Sequence, residues 1–254
     1  MPDSVPFGQS AASSDRRDGP VPTAGLVIVL DVLKVELPFG AVSGSEKIWN
    51  HLDEEAIGSD QAALLRRNGF RVGVGQPGSW PPIEAILRAS SPATMSRHST
   101  TLRGAYPLSI QTDRAAHDAT IFFYRPDGTL VGQSFRQARN ILQVDCRVDL
   151  DHPDSVILQI RPEVRQQRRG LEWMTTALGL QKLPRYEGRV ISELTFGVRI
   201  GPGEFLLIGP GRQITQPALI GRQFMSHAGP QRRYETVYIL TPRVIKTSIS
   251  ISRG

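Results

Sequence analysis

The residues Gly73, Gly75 and Gly78 have the spacing G-x-G-x-x-G, which in dinucleotide-binding proteins leads from a strand into a helix that binds a pyrophosphate. That chemistry requires a helix N-terminus directly after the glycines, within a strand–helix–strand unit. Here Trp80–Pro82 intervene, and no acidic residue follows at about twenty residues to bind a ribose hydroxyl. We therefore interpret the three glycines as part of a turn and predict no nucleotide cofactor.

A second group of candidate residues combines His51 with Asp53, Glu54 and Glu55, which are side chains of metal-binding type. One histidine among adjacent acidic residues on a short helix is more typical of a solvated helix face. Hydrolase chemistry has no better support, because the nearest approach to a G-x-S-x-G nucleophile motif, around Ser134, ends in Arg136 instead of glycine. The other histidines are isolated in loop-like contexts: His98, His117, His152 and His227. These patterns predict no metal site and no enzyme.

Cys146 is the only cysteine of the chain. A single cysteine excludes a disulfide framework and a cysteine-based zinc site. It alternates with apolar neighbours, as expected for a buried strand position. We therefore interpret Cys146 as a small hydrophobic residue and not as a nucleophile.

The composition is that of a folded protein, because 39% of the 254 residues are hydrophobic and 21% are charged. The net charge is +6, which raises the possibility of a nucleic-acid partner. The arginines are spread along the chain, however, and aromatic residues are not interleaved with them as in a single-strand-binding platform. No run of about 18 apolar residues is present to form a membrane-spanning helix. These features argue against nucleic acid as a partner.

Residues 1–24 are rich in proline, serine and glycine and predict a disordered tail. They contain no apolar segment of the kind found in a secretory signal peptide. The tail therefore leaves two localisations open. The protein lies in the cell envelope, at the outer membrane or in the periplasm, if a leader is supplied, and in the cytoplasm if Met1 is the authentic start.

Residues 25–90 predict a small α/β module in the order strand, helix, helix, strand, helix. The first strand covers 25–37, and Ser45 is placed to begin a short helix that contains Ile48, Trp49 and Leu52. The second helix begins at Ser59 and ends at Asn68-Gly69, a pair typical of a left-handed helix stop. A strand over 70–74 and a helix that opens at Pro81-Pro82 complete the module.

Residues 91–105 are rich in serine and threonine and predict a linker or an exposed strand at a domain boundary. Residues 106–254 predict consecutive strands, with a hairpin around Pro126–Gly128. The basic segment 165–189 is expected to be partly helical, and Gly201–Gly203 to be the turn of a further hairpin. A last strand is expected over Thr236–Leu240. The fold class is therefore β-rich α+β, with the α/β module followed by an antiparallel β-domain of hairpins.

The C-terminal half contains an ordered series of apolar strands, Gly/Pro turns and a basic patch. The segments are, in order, 140–144 (NILQV), 156–164 (VILQIRPEV), 194–209 (LTFGVRIGPGEFLLIG), 217–224 (PALIGRQF), 232–233 (RR) and 235–245 (ETVYILTPRVI). From about Leu142 to Ile245, this series resembles the secretin homology domain of type II and type III secretion systems and of type IV pilus systems.

The resemblance implies a secretin-like β-domain and an assembly role without catalysis or cofactors. Its partners would be further copies of the same chain, other secretion-system or envelope proteins, and outer-membrane lipid. The expected function is a ring or channel subunit for protein secretion or pilus passage. The alternative is a soluble interaction module that keeps the fold without forming a pore. The candidate assembly residues are Gly209, Pro210, Pro217, Gly221, Phe224, Arg232, Arg233, Thr241, Pro242 and Arg243.

Overall fold

Most of the described chain lies in two antiparallel sheets of six strands each, sheet A and sheet B. A computed structural model describes residues 23–102, 107–113, 115–176, 179–212, 216–229 and 231–249. The predicted tail therefore lies outside the described residues as far as residue 22. The predicted fold class, β-rich α+β with antiparallel sheets, is confirmed.

The strands are, in chain order, β1 (Thr23–Pro38), β2 (Phe70–Gly75), β3 (Thr94–Leu102), β4 (Leu108–Gln111), β5 (His117–Tyr124), β6 (Leu130–Val148), β7 (Val156–Thr176), β8 (Gly179–Val190), β9 (Phe196–Ile200), β10 (Phe205–Pro210), β11 (Ser226–Ala228) and β12 (Arg233–Ile249). The α-helices are α1 (Ser59–Arg67), α2 (Trp80–Ala89) and α3 (Ile220–Met225). Short 3-10 turns lie at Trp49–His51, Glu55–Ile57, Pro77–Ser79 and Ser192–Leu194.

Sheet A has the strand order β2-β10-β12-β1-β3, and β11 pairs with β12. β1 and β12 pair along their whole length, from Thr23 opposite Ile249 to Pro38 opposite Tyr234. The strands of residues 25–90 thus share one sheet with strands from the end of the chain. The segment 91–105 supplies β3, the outermost strand next to β1, which agrees with the exposed-strand interpretation of this segment.

Sheet B is built on two long strands, β6 and β7. β4 and β5 pair with β6, while β8 and β9 pair with β7. The predicted hairpin around Pro126–Gly128 is confirmed, because β5 and β6 pair on either side of it. β6 and β7 pair with each other from Ala138 opposite Gln166 to Val148 opposite Val156.

Sheet A is apolar on both faces because alternate residues of its strands point to different layers. One set faces sheet B, where Leu30, Leu206 and Leu240 join a core that includes Leu142 and Leu158. The other set packs against α2 and the Trp49 turn, and includes Leu33, Val35, Phe205, Leu207, Val237 and Ile239. This double burial explains the unbroken apolar run of β10.

The prediction of helix within residues 165–189 is wrong. The described residues of this segment belong to β7 and β8, which pair from Glu163 opposite Val190 to Thr176 opposite Gly179. Gly170 has a φ of 103° and lies where the register of the β7–β8 ladder shifts, between Gln167 and Leu171. This irregularity interrupts the alternating pattern of the strand. Pairing with a neighbouring strand overrides the local helix preference of the sequence.

The predicted hairpin around Gly201–Gly203 is also wrong, although both of its strands exist. β9 pairs with β7 in sheet B, whereas β10 pairs with β2 and β12 in sheet A. The glycine turn therefore carries the chain from one sheet to the other. An alternating apolar pattern identifies a strand but not its partner.

The helix predicted from Ser45 is reduced to the single 3-10 turn Trp49–His51. The buried carboxylate of Glu235 holds the preceding loop, since it accepts hydrogen bonds from the backbone N–H groups of Gly40 at 2.6 Å and Val42 at 2.9 Å. The Ser43 hydroxyl also donates to this carboxylate. These contacts fix the loop to β12 in a conformation that does not continue as a helix.

Asn68, at the end of α1, joins the helix to sheet B. Its fully buried side-chain amide donates to the carbonyls of Leu64 at 3.0 Å and Tyr124 at 2.9 Å. Its side-chain oxygen accepts the N–H of Tyr124 at 2.7 Å. The amide therefore pairs with β5 as a neighbouring strand residue would. The left-handed stop after α1 is confirmed, because Gly69 has a φ of 81°.

We expect Asn68→Ala to lower the free energy of unfolding by about 3 kcal/mol, because the N–H and C=O of Tyr124 lose their buried partner. Urea unfolding followed by circular dichroism measures the change. Asn50→Ala is the matched control, because Asn50 is exposed. Equal stability of the two variants would contradict this role of Asn68.

Candidate assembly surface

The outer strands of the two sheets leave backbone groups available for another chain. Within the described part of the protein, β3 pairs only with β1 and β8 only with β7. β3 has the sequence TMSRHSTTL, is largely exposed and carries one charged residue, Arg97. An unprotected edge strand is a template for pairing with a further strand.

Of the predicted assembly residues, Gly209 and Pro210 lie inside the fold. A Cβ atom at Gly209 would lie 3.0 Å from Val237 Cγ1 and 3.3 Å from the Trp49 ring. Pro210 is buried at the end of β10, opposite Phe70. Both residues therefore fit β10 into sheet A.

Gly221 and Phe224 also pack internally, through α3. A Cβ atom at Gly221 would lie 2.2 Å from the carbonyl carbon of Gly69, and the Gly221 N–H donates to the Asn68 carbonyl at 2.9 Å. The buried Phe224 ring meets Phe70 edge to face, with centroids 5.8 Å apart. The α3 segment thus closes over the turn that joins α1 to β2.

Pro217, Arg232 and Arg233 are exposed. Arg232 stacks over the Tyr234 ring at 5.2 Å from its centroid and donates through Nε to the Tyr234 hydroxyl at 3.2 Å. The three residues do not form one cluster with the buried candidates. They are the members of the predicted set that a second molecule can reach near β11 and α3.

Thr241, Pro242 and Arg243 lie on β12 where it pairs with β1. Arg243 forms an ion pair with Asp31 at 3.0 Å, and Pro242 is buried. Thr241 and Asp31 line a cavity of about 270 Å³ whose wall includes Trp80. The structure thus separates the predicted residues into buried packing positions and exposed positions, and a role in assembly stays a prediction for the exposed ones.

Two residues of the G-x-G-x-x-G motif, Gly73 and Gly75, pack tightly against neighbouring chain segments. A Cβ atom at Gly75 would lie 2.1 Å from the Phe205 ring, and one at Gly73 would lie 2.8 Å from Leu52 Cβ. The 3-10 turn Pro77–Ser79 follows the second glycine, and α2 begins directly after it at Trp80. The expectation that Trp80–Pro82 separate the glycines from a helix is therefore wrong. Close packing at β2 thus accounts for Gly73 and Gly75.

The acidic cluster near His51 is divided among structural contacts. Asp53 forms an isolated backbone bridge with Val74, and Glu54 accepts hydrogen bonds from Arg71 at 2.6 and 2.7 Å. Among the described residues, no group of three or more His, Cys, Asp or Glu side chains is placed to hold a metal ion. No helix in the described ranges is both long and apolar enough to cross a membrane.

Cys146 is partly buried in β6. Burial, with a smaller contribution from the Asp145 carboxylate, raises the pKa of its thiol to about 12. The thiolate is therefore scarce at neutral pH, which agrees with the interpretation of Cys146 as a packing residue.

Sequence reasoning assigned Asn68 only to a helix stop and Glu235 only to the segment 235–245. It did not predict that their side chains hold separate parts of the chain together. Their partners lie far away along the chain, 56 residues in the case of Asn68 and Tyr124, and 193 for Glu235 and Val42. No local pattern signals such contacts.

Comparison with known proteins gives no match to a protein-family model or to a curated protein sequence. Similar solved structures are secretins. The secretin domain of InvG from the Salmonella SPI-1 injectisome is 14% identical, with a TM-score of 0.23 over 90% of this chain and 64% of that chain. The V. cholerae type IV competence pilus secretin PilQ is 16% identical, with a TM-score of 0.21 over 87% of this chain and 60% of that chain.

A third similar structure is the Klebsiella pneumoniae type II secretion outer membrane complex of PulD, PulS and the PulC HR domain. It is 11% identical, with a TM-score of 0.20 over 88% of this chain and 40% of that chain. This chain thus spans less than two thirds of each of the three.

We expect Gly221→Ala to lower the free energy of unfolding by about 3 kcal/mol, because its methyl group would overlap the backbone of Gly69. Thermal and urea unfolding measure the loss. Gly78→Ala is the control, because a Cβ atom there has open space within 4 Å. A Gly221→Ala variant as stable as the Gly78→Ala variant would show that α3 does not pack on this turn.

We expect Cys146 to react with iodoacetamide at pH 8 roughly a hundredfold or more slowly in the folded protein than in denaturant, because the raised pKa suppresses the thiolate. Mass spectrometry of timed samples gives both rates without interference, since the chain has one cysteine. Similar rates in the two states would show an ionised, accessible thiol.

Proposed function

We propose that this chain is a non-enzymatic assembly subunit of a bacterial cell envelope, whose copies form a secretin-like ring or channel for protein secretion or pilus passage. The observation that carries the proposal is the open edge of β3. This strand spans Thr94–Leu102 and, among the described residues, has a hydrogen-bonded neighbour on one side only.

Edge strands are usually protected by charges, prolines, bulges or a covering segment. β3 contains no proline, and its ladder with β1 runs without a register shift from Leu102 to Thr94. A strand from a second copy would satisfy the outer backbone groups and continue sheet A. When that strand comes from a different edge of the second copy, the contact is head to tail. Head-to-tail contacts close into a ring when the rotation between copies allows it.

The ordered series of segments between Leu142 and Ile245 supports the same proposal, because it follows the order found in secretin homology domains. The similar solved structures are described as parts of an injectisome, a competence pilus system and a type II secretion system. We infer the cell envelope, at the outer membrane or in the periplasm, as the location of the assembled protein.

The partners in this proposal are other copies of the chain, further secretion-system or envelope proteins and outer-membrane lipid. The exposed Arg232 and Arg233 offer cationic groups to acidic neighbours or to lipid headgroups. Nucleic acid and cofactors have no role in it. The residues within the fold, such as Gly221 and Phe224, act by keeping the subunit rigid.

We expect the purified protein to form discrete oligomers at micromolar concentration, which negative-stain images resolve as rings. Light scattering coupled to size exclusion gives the mass in solution, and flotation with vesicles of outer-membrane lipids tests membrane association. A protein that stays monomeric in this range and does not associate with the vesicles would refute the proposal.

Two proline variants, Arg97→Pro and His98→Pro, locate the contact within β3. Neighbouring residues of a strand direct their N–H groups to opposite edges, so one variant disturbs pairing with β1 and the other only the outer edge. Thermal unfolding identifies the variant that retains the subunit fold, and we expect that variant to be monomeric. Normal oligomers of that variant would exclude the β3 edge as the contact.

A further inference from the structure

A basic cavity of about 470 Å³ lies beside α1, and none of the predicted assembly residues is among its lining residues. We call it the arginine cavity. Four arginines, one glutamate and one alanine line it: Glu46, Ala63, Arg66, Arg67, Arg71 and Arg212. Four positive charges against one negative charge leave its lining with a net charge of +3.

Arg71 forms the fixed base of the arginine cavity. Its guanidinium donates to both carboxylate oxygens of Glu46, at 2.7 and 2.8 Å, and to those of Glu54, at 2.6 and 2.7 Å. It also stacks over the Trp49 ring, 4.5 Å from the centroid. These contacts occupy most of its donors, so Arg71 orients the cavity and is not its main ligand-binding group.

Arg67 keeps guanidinium N–H donors that can bind a ligand. Its guanidinium stacks over the Tyr124 ring at 4.2 Å, and its Nη2 donates to the Gly128 carbonyl at 3.4 Å. No carboxylate of the described residues lies within ion-pairing distance of it, that is, within 4.0 Å. Its positive charge is thus held in place by an aromatic ring without being neutralised.

Arg212 and Arg66 complete the binding side of the arginine cavity. Arg212 donates through Nε and Nη2 to one oxygen of Glu46, at 3.0 and 2.6 Å, and its side chain is 70% exposed. Arg66 has a looser ion pair with Glu55 at 3.7 Å. Both side chains therefore keep donors that can reach a ligand in the cavity.

Glu46 sets the spacing of the arginines. Its hydrogen bonds with Arg71 and then Arg212 lower its pKa to about 2, so the carboxylate is ionised at neutral pH. It holds two guanidinium groups from distant parts of the chain, 25 and 166 residues away, at one place. Arginine forks gathered in this way match the oxygens of a phosphate group.

We propose that the arginine cavity binds the phosphate group of an anionic ligand, with Arg67, Arg212 and Arg66 as donors and Arg71 as the positioning residue. A lipid headgroup and free phosphate share this chemistry. The cavity is open enough to admit a headgroup at its rim, and the site does not depend on ring formation. The mass of the protein in solution tests the assembly proposal, whereas binding of free phosphate and the effects of the cavity variants test the arginine cavity.

The experiment uses the full chain with two probes. Calorimetric titration with inorganic phosphate measures the free ion, and cosedimentation with phosphatidylcholine vesicles containing phosphatidic acid measures the headgroup. Vesicles of phosphatidylcholine alone are the reference. We expect saturable binding that weakens with added salt. Binding to the acidic vesicles without binding to free phosphate identifies the headgroup as the source, and binding of both identifies the phosphate group itself.

Four variants separate the arginine cavity from general basic charge. Arg67→Gln and Arg212→Gln should each weaken binding roughly tenfold, because each removes a charge-assisted contact. Arg88→Gln is the matched control: Arg88 lies on α2, outside the cavity, and pairs with Glu84 at 2.7 Å. Glu46→Gln should strengthen binding several-fold, because it removes a negative charge from the lining while the amide oxygen can still accept a hydrogen bond from the guanidinium groups.

The arginine variants are expected to weaken binding, whereas Glu46→Gln is expected to strengthen it. Misfolding would weaken binding in every variant, so these opposite effects distinguish a binding site from a structural cluster. Thermal unfolding confirms that each variant is folded. The proposal is overturned if the wild-type protein binds neither probe, or if Arg88→Gln weakens binding as much as the two cavity variants. Unchanged binding by Arg67→Gln and Arg212→Gln would overturn it equally.

Discussion

The junction at Asn68-Gly69 is the constraint on which the relative placement of the two sheets depends. α1 has to stop there, because Gly69 takes up a left-handed conformation that directs the chain into β2 of sheet A. The Asn68 side chain meanwhile pairs with the backbone of β5 in sheet B. One residue pair thus connects a helix and both sheets.

The same junction explains the glycines of the C-terminal segment. The N–H groups of Gly211 and Gly221 donate to the carbonyls of Gly69 and Asn68, at 2.8 and 2.9 Å. Any side chain at Gly221 would collide with that backbone. Gly221, which belongs to the segment 217–224, therefore has a local physical reason, which is the close approach of two backbones. Apolar side chains pack on both faces of sheet A.

Features that depend on residues close together in the chain could be predicted from the sequence, whereas features that depend on distant residues could not. Alternating or continuous apolar runs located β5, β6, β7, β9 and β10, and the Asn-Gly pair located the end of α1, because these signals are local. Strand partners were not readable, so β9 and β10 were joined in one hairpin although they belong to different sheets. The register shift at Gly170 hid the continuation of β7. For the candidate site, the open edge of β3 was anticipated only as an exposed strand, and the arginine cavity not at all, since Glu46 and Arg212 come from distant segments.

The pairing of β1 with β12 has a consequence for how the protein folds. The first described strand is completed only by the last one, with Thr23 opposite Ile249. During synthesis, β1 is therefore made long before β12. Until β12 is made, β1 can pair only with β3 among its neighbours in sheet A. Contacts of such large sequence separation slow folding and expose unpaired strands to aggregation. Sheet A can therefore close only after β12 has been synthesised.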